Sequence, residues 1–166
     1  MKKLLYRVIT ACVLIGWMAI IFWFSAQPAG ESSEISGSVS YRVVEKCNHF
    51  FEIGWTKDTM EEYAKRIEHP IRKAAHMTEY AVLAVAVFLC FYGYEYMRKR
   101  IYLLTFLVSV CYAASDEIHQ LFVPGRSGQL SDVCVDAVGV VAALLFVYLI
   151  RKVIGKYCEK KQLTLQ

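Results

Sequence analysis

The chain has 166 residues and a formal net charge of +4. Hydrophobic residues make up 57% of it and aromatic residues 14%, with a mean hydropathy of +0.36. That apolar content exceeds the roughly half expected of a soluble domain, and its basic residues gather at the ends of apolar runs instead of forming one face, which excludes nucleic acid and makes the lipid bilayer the expected partner.

The first apolar run covers about residues 4–24, broken only by Arg7 and Thr10. Some twenty apolar residues match a hydrocarbon core of roughly 30 Å. The opening "MKK" also suits a signal peptide. However, the apolar stretch is too long for one, and "FSAQPAG" lacks a small-x-small cleavage pattern, so a retained spanning helix is expected.

Residues 25–71 are more polar and contain two amphipathic pieces. Val39, Val43, Cys47 and Phe50 recur at helical spacing, as do Met60, Tyr63, Ile67 and Ile71. Thr59 with Glu62 three residues on predicts a capping box. Pro70 suits the first turn of the next spanning helix. Two short helices lying on the membrane surface, or closing over it as a lid, are the alternatives here.

Three further apolar runs, about residues 74–94, 101–122 and 130–150, are each long enough to span. The expected fold is therefore all-α: one integral membrane domain with four transmembrane helices and amphipathic surface helices in the long connecting segment. Cys12, Cys90, Cys111 and Cys134 fall in apolar runs and Cys158 in a basic tail, leaving Cys47 alone in a polar segment. Buried, unpaired thiols are the natural reading.

Charge sets the expected orientation. Lys2, Lys3 and Arg7 precede the first run, and Arg98, Lys99 and Arg100 join the second to the third. Arg151, Lys152, Lys156, Lys160 and Lys161 follow the fourth, opposed on that side only by Glu95 and Glu159. The positive-inside rule puts both termini in the cytoplasm of a multi-pass cell-membrane protein. Residues 25–71 and the turn "VPGRSGQ" then face outward.

This topology brings charge from three helices to one depth. Arg72, His76 and Glu79 open the second run; Asp116, Glu117, His119 and Gln120 close the third; Asp132 and Asp136 open the fourth. Helical spacing puts Arg72, His76 and Glu79 on one face, Asp116, His119 and Gln120 on another, and Asp132 with Asp136 on a third. Gly139 and Ala143 extend that last stripe with small residues, which permits close helix approach. Ionisable groups inside a membrane usually face the bundle interior or a watery cavity, so one polar site in the outer leaflet is expected.

Glu79, Asp116, Glu117, Asp132 and Asp136 outnumber the expected counter-charges Arg72 and Arg126, with Lys73 on a different helix face. Three arrangements account for the surplus. Buried ion pairs fix helix register in the first. In the second, a divalent metal sits among His76, Glu79, Asp116, His119 and Asp132 and activates water for hydrolysis. In the third, Arg72 and Arg126 hold an anionic headgroup, as planar guanidinium groups suit, with His76, Glu79, Asp116, His119, Gln120, Asp132 and Asp136 completing the binding site. If the site is catalytic, Glu79, Asp116, Glu117 and His119 are the candidates. Trp17, Trp23, Tyr80 and Tyr112 read as interface or packing aromatics.

"FSAQP", "RKAAHMTEY" and "ASDEIHQLFVPGRSGQLSDVCVDAVG" follow one another along nearly the whole chain. Together they resemble the VanZ-like family, typified by a small membrane protein that lowers susceptibility to the glycopeptide teicoplanin. The resemblance carries over Gln27, Arg72, Lys73, His76, Glu79, Asp116, Glu117, His119, Gln120, Pro124, Gly125, Arg126, Asp132, Asp136 and Gly139 as a polar signature. It implies a cell-envelope membrane protein acting on a lipid-linked or cell-surface ligand and modulating glycopeptide susceptibility.

Overall fold

The computed structural model describes residues 1–163, with side chains as far as Cys158. Glu159, Lys160 and Lys161, which entered the charge pattern above, lie outside the described side chains. Five α-helices account for nearly all of the chain: α1 (Lys2–Ser25), α2 (Ala29–Phe50), α3 (Lys57–Tyr92), α4 (Ile101–Gln120) and α5 (Leu130–Leu163). A single 3₁₀ segment, Glu95–Arg100, joins α3 to α4, and no strand occurs among the described residues. Four of these helices are long and apolar enough to cross a membrane: α1, α3, α5, and α4 together with its 3₁₀ lead-in. The chain is an all-α, multi-pass membrane protein.

α3 is the central element, packing most extensively on α5 and then on α2, α4 and α1. Its residues Tyr80, Leu83, Ala84 and Val87 form the core with Ile21 of α1, Ala113 of α4 and Val140 of α5. Close approach of α3 and α5 rests on Gly139: a Cβ there would run into the Met77 carbonyl. Polar side chains tie α1 into the bundle. The Trp17 indole donates to the Glu79 carbonyl at 3.0 Å, and the Tyr112 hydroxyl donates to the Met18 carbonyl at 2.7 Å.

The segment between the first two spans departs from expectation. Its second amphipathic piece is no separate short helix but the first half of α3, which continues through Pro70 for 36 residues. At 1.5 Å per residue α3 is about 54 Å long, well beyond a hydrocarbon core of roughly 30 Å. Pro70 thus lies inside the helix, not in the first turn of a span. The packing of α2 along this half of α3 holds the two together where local proline preference alone predicts a boundary. The cap is also displaced: Thr56, not Thr59, precedes α3, its hydroxyl accepting from the Thr59 amide at 3.4 Å.

α2 and the first half of α3 form an antiparallel hairpin. Val44 packs on Met60 and Ala64, with Tyr41, Trp55 and Ile67 around them. Asn48 closes the tip, its Oδ1 accepting from the Trp55 amide at 2.9 Å. The face of α2 turned inward carries Ser36, Ser40 and Val44, because small side chains allow the helices to approach. The expected stripe of Val39, Val43, Cys47 and Phe50 is helical but exposed. All six cysteines are unbridged. Five are exposed and Cys90 is partly covered, in place of the expected burial; a membrane bundle turns apolar residues outward as readily as inward.

Candidate functional site

The turn between α4 and α5 lies at the end of the bundle where α1 stops and α2 begins. Gly125 has φ +75°, a conformation that favours glycine. There the chain turns so that the Pro124 carbonyl accepts from the Ala29 amide at 3.2 Å. Arg126, the next residue, reaches the open C-terminus of α1: Nε donates to the Gln27 carbonyl at 2.9 Å and Nη2 to the Phe24 carbonyl at 3.2 Å. A cation at the negative end of a helix is well placed electrostatically. Burial, and then the neighbouring Arg72 charge, push the Arg126 guanidinium below its ordinary value, while Asp116, Glu117 and Glu79 act the other way.

Two cavities adjoin at this end. The first, of ≈ 160 Å³, has Arg72, His76, Glu79, Asp116 and Arg126 along one side. Ile21, Phe24, Ile35, Val39 and Ile71 give it an apolar wall. The second, of ≈ 190 Å³, is lined by Lys73, Gln120, Gln129, Asp132 and Asp136 among others. Ser32, Arg72, His76 and Arg126 line both, so a largely cationic partition separates two acid-bearing spaces.

Eight of the nine sequence-predicted binding residues line at least one of these cavities: Arg72, His76, Glu79, Asp116, Gln120, Arg126, Asp132 and Asp136 all do, and only His119 does not. The His119 ring instead stacks on Phe22 of α1, with centroids 4.5 Å apart, and its Nε2 is buried without a partner. Glu117, a catalytic candidate, also lies outside both cavities. Its carboxylate accepts from the Gln129 amide at 2.9 Å, just before α5 begins. Gly128 lies so close to the Glu117 carbonyl that a Cβ would collide with it. Glu117 and His119 thus fix the turn and the α1–α4 contact.

The ion pairs differ from those expected. Arg72 pairs at 2.8 Å with Glu68, one turn earlier on α3, and also donates to Ser33 Oγ at 2.9 Å. Its Nε remains buried and unpartnered. Lys73, expected on a different face, pairs across to Asp132 of α5 at 3.2 Å. His76 Nδ1 lies 3.8 Å from Glu79 Oε2. Glu68, Ser33 and Ser36 were missed at the sequence level; of these only Glu68 carried a signal, its i, i+4 spacing to Arg72.

After these pairings Asp116, Glu117 and Asp136 face no cation; Glu117 is met by the Gln129 amide, whereas Asp116 and Asp136 each keep an unsatisfied oxygen. Asp116 is 4% exposed and receives one hydrogen bond, from Gln120 Nε2 at 3.3 Å. Asp136 is 1% exposed; its Oδ1, like Asp116 Oδ1, has no partner. Such groups are costly to bury unless something supplies donors. Among the described residues no three His, Cys, Asp or Glu side chains converge to hold a metal ion. The metal candidates His76, Glu79, Asp116, His119 and Asp132 are divided between the cavities and the α1 contact. The arrangement presents guanidinium groups to an anion, unpaired carboxylates to hydroxyl or ammonium donors, and an apolar wall to a hydrocarbon.

No curated protein and no solved structure matches the chain. The VanZ/LLP1 family model matches residues 10–151, a stretch that contains both cavities and all four spanning helices at least in part. The chain belongs to the VanZ/LLP1 family.

Proposed function

We propose that this VanZ-like membrane protein is a single-domain binding protein of the cell envelope, whose ligand is an amphiphile with an anionic head. The carrying observation is that Arg72 and Arg126 stand beside an apolar wall within one cavity. The head sits on the guanidinium groups, whose fork geometry suits phosphate, and its hydroxyl or ammonium donors meet Asp116 and Asp136. The hydrocarbon follows Ile35 and Val39 toward Val43 along the exposed stripe of α2. A lipid-linked cell-wall fragment has this chemistry, and its sequestration or modification would alter teicoplanin susceptibility.

The orientation belongs to the same proposal. Lys2, Lys3, Arg7, Arg98, Lys99, Arg100, Arg151, Lys152 and Lys156 all lie toward the other end of the bundle, which supports cytoplasmic termini and a site open to the cell exterior.

The test uses the full chain in mild detergent with a long-chain isoprenyl phosphate, and the matching isoprenyl alcohol as control. The phosphate is expected to bind at least tenfold more tightly than the alcohol, and Arg72→Gln to remove that preference. Equal binding of phosphate and alcohol overturns the reading. In cells, the wild-type chain is expected to shift teicoplanin susceptibility and Arg72→Gln to lose that shift.

A further inference from the structure

A second feature lies at the opposite end of the bundle, among residues the proposed ligand site does not use. An apolar groove of ≈ 570 Å³ runs between α3 and α5, walled by Val85, Leu89, Phe146, Val147 and Ile150 and closed at one end by Arg151. Gly155 leaves open space beside that end. The Arg151 guanidinium lies 5.3 Å from the centre of the Tyr92 ring and 5.5 Å from that of Phe88, and donates to the Tyr102 hydroxyl at 3.3 Å. Arg98 lies 4.7 Å from the same Tyr92 ring, its Nε donating to the Tyr92 carbonyl at 3.3 Å.

Two guanidinium groups are thus gathered on one tyrosine, and among the described residues neither is ion-paired to a carboxylate. Among the described residues the acid of this end is Glu95, which is taken by Lys3 at 3.2 Å. Adjoining the groove through Tyr92 is a further cavity of ≈ 300 Å³ with Lys2, Lys3, Tyr6 and Arg98 on its walls. Two exposed guanidinium groups beside an apolar slot offer an anion a favourable position. Basic pockets between membrane helices are suited to phospholipid head groups.

We propose that this groove is a binding site for one anionic phospholipid, its phosphate between Arg98 and Arg151 and an acyl chain lying along Leu89, Phe146 and Ile150. Charge complementarity selects the head group, and the slot between α3 and α5 seats the chain. The lipid then bridges the helices that also carry Lys73, Asp132 and Asp136 at the other end.

Native mass spectrometry of the full chain, released from detergent with phosphatidylglycerol or phosphatidylcholine of identical chains, tests this. Wild-type protein is expected to retain one phosphatidylglycerol with at least tenfold preference over phosphatidylcholine. The double variant Arg98→Gln, Arg151→Gln should fall to the phosphatidylcholine level through loss of charge. Leu89→Trp, which leaves both arginines in place and fills the groove from a partly exposed position, should fall equally. Absence of head-group preference in the wild type, or wild-type retention by either variant, overturns the proposal. So does a dimer that forms without lipid and is lost in both variants, which would make a second copy the occupant.

Discussion

Lys73 and Asp132 meet at 3.2 Å between α3 and α5, one helical turn from the unpartnered Asp136. Each side chain of the pair keeps 34% of its surface exposed, and pairs of that kind contribute about 0–1 kcal/mol. Lys73→Gln is therefore expected to lower the thermal midpoint in detergent only slightly. A loss of about 3 kcal/mol or more, the scale of a broken buried pair, would show that the contact is closed to water.

Asp136 predicts the opposite sign. Its carboxylate is buried with an unsatisfied oxygen, so an apolar residue of similar size removes a desolvation cost of about 1–3 kcal/mol. Asp136→Leu is expected to raise the unfolding midpoint while abolishing ligand binding. A lower midpoint would assign Asp136 a structural role instead.

Arg126 couples two parts of the chain that are far apart in sequence. Arg126→Ala removes two charge-assisted hydrogen bonds to the end of α1, each worth about 1.5–3 kcal/mol. The expected result is faster proteolysis near Ser25–Ala29, and Arg126→Lys restores it incompletely because an ammonium cannot reproduce the fork.

Gly139 tests the α3–α5 seam. Gly139→Ala places a methyl against the Met77 carbonyl, a backbone atom that cannot rotate away. Overpacking of this kind costs about 1–3 kcal/mol. Unfolding midpoints should drop for Gly139→Ala and remain near wild type for Gly16→Ala, where the space is open.

Single-cysteine chains read the orientation. Cys47 is exposed on α2 and Cys158 on the far end of α5. A membrane-impermeant maleimide is expected to label Cys47 in intact cells and Cys158 only after permeabilisation. The reverse pattern would turn the site toward the cytoplasm.

The spans and the gathering of charge at one depth were legible in the sequence, because hydrophobic length and helical spacing are local properties. Pro70 misled for the same reason: its preference for a first turn is local, whereas the packing of α2 along α3 is not. The Glu68–Arg72 pair was readable from its spacing but lay outside the span under consideration. Nothing local indicates that Lys73 meets Asp132, since that contact depends on how α3 and α5 are rotated about the Gly139 approach. The partition of the polar residues into two cavities is likewise a product of three-dimensional packing, as is the diversion of His119 to Phe22.

Because Glu68 and Arg72 are neighbours on one helix, their pairing requires no other part of the bundle. A chain made from its N-terminus has α1, α2 and α3 in hand before Asp132 and Asp136 exist. Arg72 then enters the membrane boundary already neutralised, while Lys73 waits for α5 with a long stem that reaches water. The order of synthesis thus leaves Asp136 for last: it lies on the final helix, so an interrupted chain never holds this unpaired acid in apolar surroundings without the rest of the site.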